Sequence, residues 1–170
     1  ERGRSCSTRA MPFVGQRNAS YTEFGGRSLH EVYGSCLETA SQVNANTLAH
    51  MVFLNRGKRF EGHELPIEAQ FAPGFYVGVA DYDGDGNEDI FMSQNFFAVQ
   101  VETPRNDGGR SIWLKGDGKG GFAAVPAHVS GVIVYGEQRG AALSDYNRDG
   151  RVDVVVSQNG AETKLFRNRN

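Results

Sequence analysis

Asp81-Tyr82-Asp83-Gly84-Asp85-Gly86-Asn87-Glu88-Asp89 is the stretch that decides how this chain folds. It occurs again as Asp145-Tyr146-Asn147-Arg148-Asp149-Gly150-Arg151-Val152-Asp153. Oxygen-bearing side chains recur on every second residue, and a Gly at the sixth place lets the chain turn back on itself. The four Asp of the first stretch repel one another, since two unit charges ~4 Å apart cost about 1 kcal/mol even in bulk water. A hard cation removes that penalty. Ca²⁺ takes about six to eight oxygens at about 2.3–2.6 Å, and short loops offering them at alternate positions, one through a backbone carbonyl, are its usual protein cage. The pattern predicts two Ca²⁺ sites. The 81–89 loop is expected to bind more tightly than the 145–153 loop, where Asn147 replaces an Asp and Arg148 and Arg151 add positive charge.

The repetition runs beyond the loops. A shift of 64 residues carries Asp81 onto Asp145, Asp85 onto Asp149, Gly86 onto Gly150, Asp89 onto Asp153 and Ser93-Gln94-Asn95 onto Ser157-Gln158-Asn159. Self-similarity of this length marks architectures in which one supersecondary unit cannot bury its apolar face alone. From Thr47 onward apolar residues alternate and turn residues recur, predicting short strands at about 48–55, 60–65, 75–81, 89–95, 111–115, 122–126, 139–145, 153–158 and 163–167. Each acidic loop then joins two strands. A second recurring piece is an apolar strand, a Gly-rich turn and a Phe-led strand: Phe53 to Phe60, Trp113 to Phe122, and Leu165 onward without its last strand. The unit is therefore four strands, present in part over 47–66, whole over 75–126 and incomplete over 139–170. Stopping in mid-hairpin leads us to expect a piece of a longer chain, because the missing strand leaves an unpaired edge.

Residues 1–46 lack this pattern. The first 27 are read as an irregular arm, followed by Ser28-Leu29-His30-Glu31, which spells a capping box. Leu29, Val32, Tyr33, Cys36, Leu37, Ala40 and Val43 then predict one amphipathic helix to about residue 43, with Cys36 on its apolar face. Neither a buried free thiol nor a disulfide to Cys6 is excluded by two cysteines alone.

The 170 residues are 39% hydrophobic and 22% charged, enough for a sizeable core. A formal net charge of −2 gives no basic footprint for nucleic acid. No run approaches the roughly 18 apolar residues of a membrane span.

These loops and their flanking strands resemble the calcium-binding FG-GAP or VCBS-type repeats of integrin α propellers. They are more similar still to bacterial secreted proteins of the UnbV/ASPIC, or cartilage-acidic-protein-like, type. The resemblance covers about residues 47–170 and rests on Asp-x-Asp-x-Asp-Gly-x-x-Asp between two strands, found twice in register. It implies an all-β fold: a partial β-propeller of four-stranded antiparallel blades, preceded by one N-terminal amphipathic helix. It also implies the ligand sets. The first is Asp81, Asp83, Asp85, the Asn87 carbonyl and Asp89; the second is Asp145, Asn147, Asp149, the Arg151 carbonyl and Asp153. The Gly-Ala-Pro of the FG-GAP pattern is Ser93-Gln94-Asn95 and Ser157-Gln158-Asn159 here, which argues against integrin-like ligand binding. The implied function is a non-catalytic interaction or adhesion scaffold with a protein or glycan partner, its remaining blades supplied by the parent chain. Extracellular calcium modules bind at about 10⁻⁴–10⁻³ M, which suits a secreted, cell-surface or periplasmic setting. The alternative is the propeller portion of a secreted hydrolase or lyase whose catalytic residues lie elsewhere.

Other motifs take plainer readings. An EF-hand needs a Glu at the twelfth position and flanking helices, but Met92 and Val156 stand there. Gly116-Asp117-Gly118-Lys119-Gly120-Gly121 spells a dinucleotide fingerprint, yet Phe122-Ala123-Ala124-Val125-Pro126 follows in place of a helix, so a hairpin turn is expected. His30, His50, His63 and His128 lack zinc spacing. Glu137 beside Arg139 is read as structural, Trp113 and Phe96-Phe97 as packing residues, and Asn18-Ala19-Ser20 as a glycosylation sequon by spelling alone.

Overall fold

The computed structural model describes residues 3–101 and 103–169. The chain divides into two compact units, Glu1–Thr47 and Leu48–Asn170. In the first, the expected irregular arm is instead three short helices, α1 (Arg4–Ala10), α2 (Pro12–Arg17) and α3 (Tyr21–Gly26). Each spans two turns or fewer, too few for a 3.6-residue period to show. Their start signals are nonetheless present. Pro12 opens α2, where its missing N–H costs nothing, and the Ser20 hydroxyl accepts from the Glu23 amide at 3.1 Å.

The expected helix over 28–43 is also corrected. Its capping box is there: the Ser28 amide donates to Glu31 at 2.8 Å and the Glu31 amide to the Ser28 hydroxyl at 3.4 Å. But α4 covers only Leu29–Tyr33 and gives way to a 3₁₀ turn over Gly34–Leu37. Gly34 adopts φ +59°, which ends the helix at low steric cost. Of the proposed apolar stripe only Val32 is buried, while Leu29 and Val43 are exposed. Cys36 is exposed rather than buried, and Cys6 and Cys36 are both free thiols. Asn18 of the sequon is fully buried, its Nδ2 donating to the Val14 carbonyl at 2.8 Å, so its amide is not presented for glycosylation.

The second unit is β-rich. Strands β1 (Met51–Asn55) and β2 (Phe60–Glu64) form a hairpin. Strands β3 (Gly74–Ala80), β4 (Asp89–Gln94), β5 (Ile112–Gly116) and β6 (Phe122–Val125) form a four-stranded antiparallel sheet. After the single-turn helix α5 (Ala127–Ser130), β7 (Glu137–Ser144), β8 (Asp153–Asn159) and β9 (Ala161–Phe166) make a three-stranded antiparallel sheet. All nine strands lie within a few residues of their expected positions. The Gly116–Gly121 stretch is the β5–β6 hairpin turn, with Gly118 and Gly120 at positive φ.

The 64-residue repeat holds at the level of register. Ala80 pairs with Asp89 and Ser144 with Asp153, Ile90 with Leu114 and Val154 with Phe166. Both sheets carry an irregularity at the same place, between Gly74 and Tyr76 and between Gln138 and Gly140. Identical registers set each acidic loop at the same corner of its sheet.

Side chains alternate across the middle sheet as period two requires. Ile90, Met92, Ile112 and Leu114 pack with Leu65 and Ala69, and Val52 of β1 joins them. Phe91 and Trp113 point the other way, onto Val132, Val134, Val154 and Val156. Every residue of β4 is consequently buried. On the third sheet, Val154 and Val156 enter that second layer, whereas Leu165 on the opposite face is exposed. Among the described residues no helix is long and apolar enough to cross a membrane.

The repeated Ser-Gln-Asn segments end β4 and β8. Asn95, at φ +82°, donates from Nδ2 to the Gly109 carbonyl at 2.9 Å and accepts from the Gly109 amide at 2.8 Å, closing the β4–β5 connection. Asn159 instead donates to Glu137 at 2.6 Å. The buried Glu137 also accepts from the Phe97 amide and Arg139. These partners, Asn159 foremost, hold its carboxyl below the usual range.

Candidate metal centre

Each acidic loop is folded by its own first aspartate. Asp81 accepts from the amides of Gly84 (2.8 Å), Asp85 (3.1 Å) and Gly86 (2.9 Å). Asp145 does the same for Asp149 (3.0 Å) and Gly150 (2.8 Å). The aspartate at the fifth position adds a second turn: Asp85 accepts from the Asn87 amide at 2.9 Å and Asp149 from the Arg151 amide at 3.0 Å. Gly86 and Gly150 take φ +84° and +85°, the conformation their position demands.

One position differs. Where the first loop has Gly84 at φ +77°, the second forces Arg148 to φ +61°. A non-Gly residue in this region costs about 1–2 kcal/mol, partly offset by the extra freedom Gly has when unfolded. Arg148→Gly is therefore expected to raise stability by about 0.5–1 kcal/mol. A thermal melt checks this, and a lowered midpoint contradicts it.

The last aspartate of each loop does something the sequence reading did not anticipate. Asp89 and Asp153 are buried, and both of their oxygens accept backbone amides. Asp89 takes Tyr82 N at 3.0 Å and Gly116 N at 2.8 Å. Asp153 takes Tyr146 N at 2.9 Å and Asn168 N at 2.8 Å. Asp89 thus ties its loop's start to the end of β5, and Asp153 ties its own to the segment just past β9. Asn168 further joins the two loops, donating from Nδ2 to the Tyr82 carbonyl at 2.7 Å.

Of the first predicted ligand set, the structure brings Asp81, Asp83 and Asp89 together: one carboxylate oxygen from each lies within 4.8 Å of the others, a grouping that can hold a metal ion. Asp85 is not part of that grouping; its Oδ2 lies 2.7 Å from the Lys115 ammonium, which also binds Asp83. Lys115 holds the Asp85 carboxyl below its ordinary range, the Asn87 amide adding to the effect, and the lysine is pushed well above its own. Asn87 is half-buried, its side-chain oxygen against Gly118.

The second set is arranged differently. Asp149 accepts from the Asn147 side chain at 2.9 Å and has Arg151 at 3.5 Å. Asn147 leads in holding its carboxyl low, with Arg151 and Arg167 contributing. Among the described residues no three carboxylates of this loop gather as those of the first do.

Lys115 is the residue missed at the sequence level. It lies one residue past Leu114, the partner of Ile90, so strand register brings it beside the loop. The signal available was positional: Lys115 follows Leu114 as Arg167 follows Phe166, the two strand residues paired to equivalent positions.

Comparison with known proteins yields a short match. The chain is 34% identical over 61 residues to cartilage acidic protein 1 of Xenopus tropicalis. The match covers 36% of this chain and 9% of that protein. No family model matches the chain, and no solved structure does.

Proposed function

We propose that the 48–170 unit is a calcium-binding repeat module, a portion of an FG-GAP/VCBS-type β-propeller of the UnbV/ASPIC kind, acting as a non-catalytic extracellular interaction scaffold. The observation that carries this reading is the convergence of Asp81, Asp83 and Asp89 on one point of a loop that joins two strands. Oxygen-only donors of this charge suit a hard divalent cation. Two sheets of one register, each with its acidic loop at the same corner, support a radially repeated architecture, and so does the burial of β4 on both faces. The match to cartilage acidic protein 1 favours the same family. In this reading calcium cancels the loop's charge and stiffens the corner of each sheet, and a secreted or surface setting supplies the metal. The first site is the tighter one. A protein or glycan partner would bind elsewhere on the propeller surface.

Calcium titration by calorimetry, with melts in calcium and in EDTA, tests it. A metal that binds only the folded state stabilises by about 2.7 kcal/mol at a hundredfold excess over Kd. Asp83→Ala is the cleanest probe, because Asp83 accepts one loop amide, at 3.3 Å, and otherwise makes a solvent-exposed ion pair with Lys115, a kind worth about 0–1 kcal/mol to metal-free folding. Asp83→Ala is expected to abolish the calcium-dependent rise in melting temperature, and Asp149→Ala to reduce it less. No calcium response in the unaltered chain ends the proposal.

A further inference from the structure

We propose that Lys115 is the resident counterion of the first acidic loop and that a divalent cation binds by displacing it, so that Lys115 sets the affinity of this centre. The inference rests on the calcium reading of the loop.

Asp83 belongs to both arrangements at once. It is one of the three converging carboxylates, and it is bound by the Lys115 ammonium, which reaches Asp85 at 2.7 Å as well. A doubly charged ion on Asp83 and an ammonium on the same carboxylate repel by more than thermal energy even at the dielectric of water. Each weakens the other's hold on Asp83, and the one free to move aside is the lysine. Its four-carbon stem is flexible and its head group is exposed.

The backbone around Lys115 is fixed while its side chain is not. Leu114 pairs with Ile90, and the Gly116 amide is bonded to Asp89. Adding a Cβ at Gly116 would drive it into the Glu88 carbonyl, so this segment stays close against the loop. Asp85, freed from the ammonium, can then turn to the metal. The displaced head group keeps a second carboxylate at hand, since Asp117 lines the same 440 Å³ cleft as Lys115 and Asp85.

The second loop carries a looser counterpart. Register puts Arg167 where the first sheet has Lys115, and Arg151 stands 3.5 Å from Asp149. Internal cations thus neutralise both loops in the metal-free chain. Metal capture becomes an exchange of positive charges rather than simple addition.

The test uses the full chain. Lys115→Met keeps the length of the stem and removes the charge. Calorimetry with calcium chloride at constant ionic strength is expected to show tighter binding by Lys115→Met, by about fivefold or more. Its metal-free melting temperature should fall and its calcium-induced rise should grow. A second measurement needs no variant: limited amine acylation read by mass spectrometry should show Lys115 becoming more reactive on saturation with calcium, with Lys119 as the internal reference. Equal calcium affinities within about twofold, or Lys115 reactivity unmoved by saturating calcium, overturn the exchange while leaving the calcium site standing. If neither protein binds calcium, the exchange and the metal reading fall together. Should Lys115→Met not fold, the acylation result decides alone.

Discussion

Trp113→Ala is expected to destabilise the 48–170 unit by about 3–5 kcal/mol, the range for emptying a buried large aromatic site. Trp113 is 1% exposed, stacks on Tyr82 at 4.2 Å between ring centroids and meets Phe91 at 5.2 Å. The layer it fills also takes in Val132, Val134, Val154 and Val156, so the cavity would open between the second and third sheets. Its effect should reach the loop too, because Tyr82 lies between Asp81 and Asp83. Trp113→Phe is the informative partner. The indole N–H is buried without an acceptor among the described residues, and Phe removes that donor along with part of the ring. Its cost should be nearer 1–2 kcal/mol. Urea denaturation followed by circular dichroism measures both, since the chain's one Trp is lost in each variant. A cost below about 1 kcal/mol for the Ala variant would mean that the two sheets do not share this layer.

Asp89→Ala and Asp153→Ala are expected to cost about 2–5 kcal/mol each in EDTA, before any metal enters. Both substitutions strand two backbone donors, and an unmet buried donor costs about 1–3 kcal/mol. The lost bonds for Asp89 run to Tyr82 and Gly116, and for Asp153 to Tyr146 and Asn168. Asparagine keeps one acceptor oxygen and should recover about half of the loss. Asp83→Ala, by contrast, should matter chiefly when calcium is present. Denaturation of the three variants with and without metal separates the roles. If Asp89→Ala matches the parent chain in EDTA, the carboxylate is a ligand only and its clamping role is wrong.

How much was legible depended on distance along the chain. The nine strands could be read because alternation and Gly-rich turns are local signals, and Trp113, read as a packing residue, is buried. Helices α1 to α3 were missed for want of length, since six or seven residues do not display a helical period, and α4 was found but read too long because Gly34 cuts it. Only the capping residues betrayed them, as Ser28 with Glu31 did and as Ser20 with Glu23 could have.

The aspartate ladder specified its loops from within. Asp81 and Asp145 bond amides no more than five residues ahead, so no distant contact is needed to shape them. Roles within the ladder came from elsewhere. Asp89 became a clamp because a strand 27 residues away delivers the Gly116 amide, and Asp85 pairs with Lys115 of that same strand. Ten candidate ligands that look equivalent along the chain are made unequal by which neighbour the pairing of β4 with β5, and of β8 with β9, sets beside them. Hydrogen bonds and charges act through space over a few ångströms, and only the packed sheets bring residues so far apart in sequence within that range.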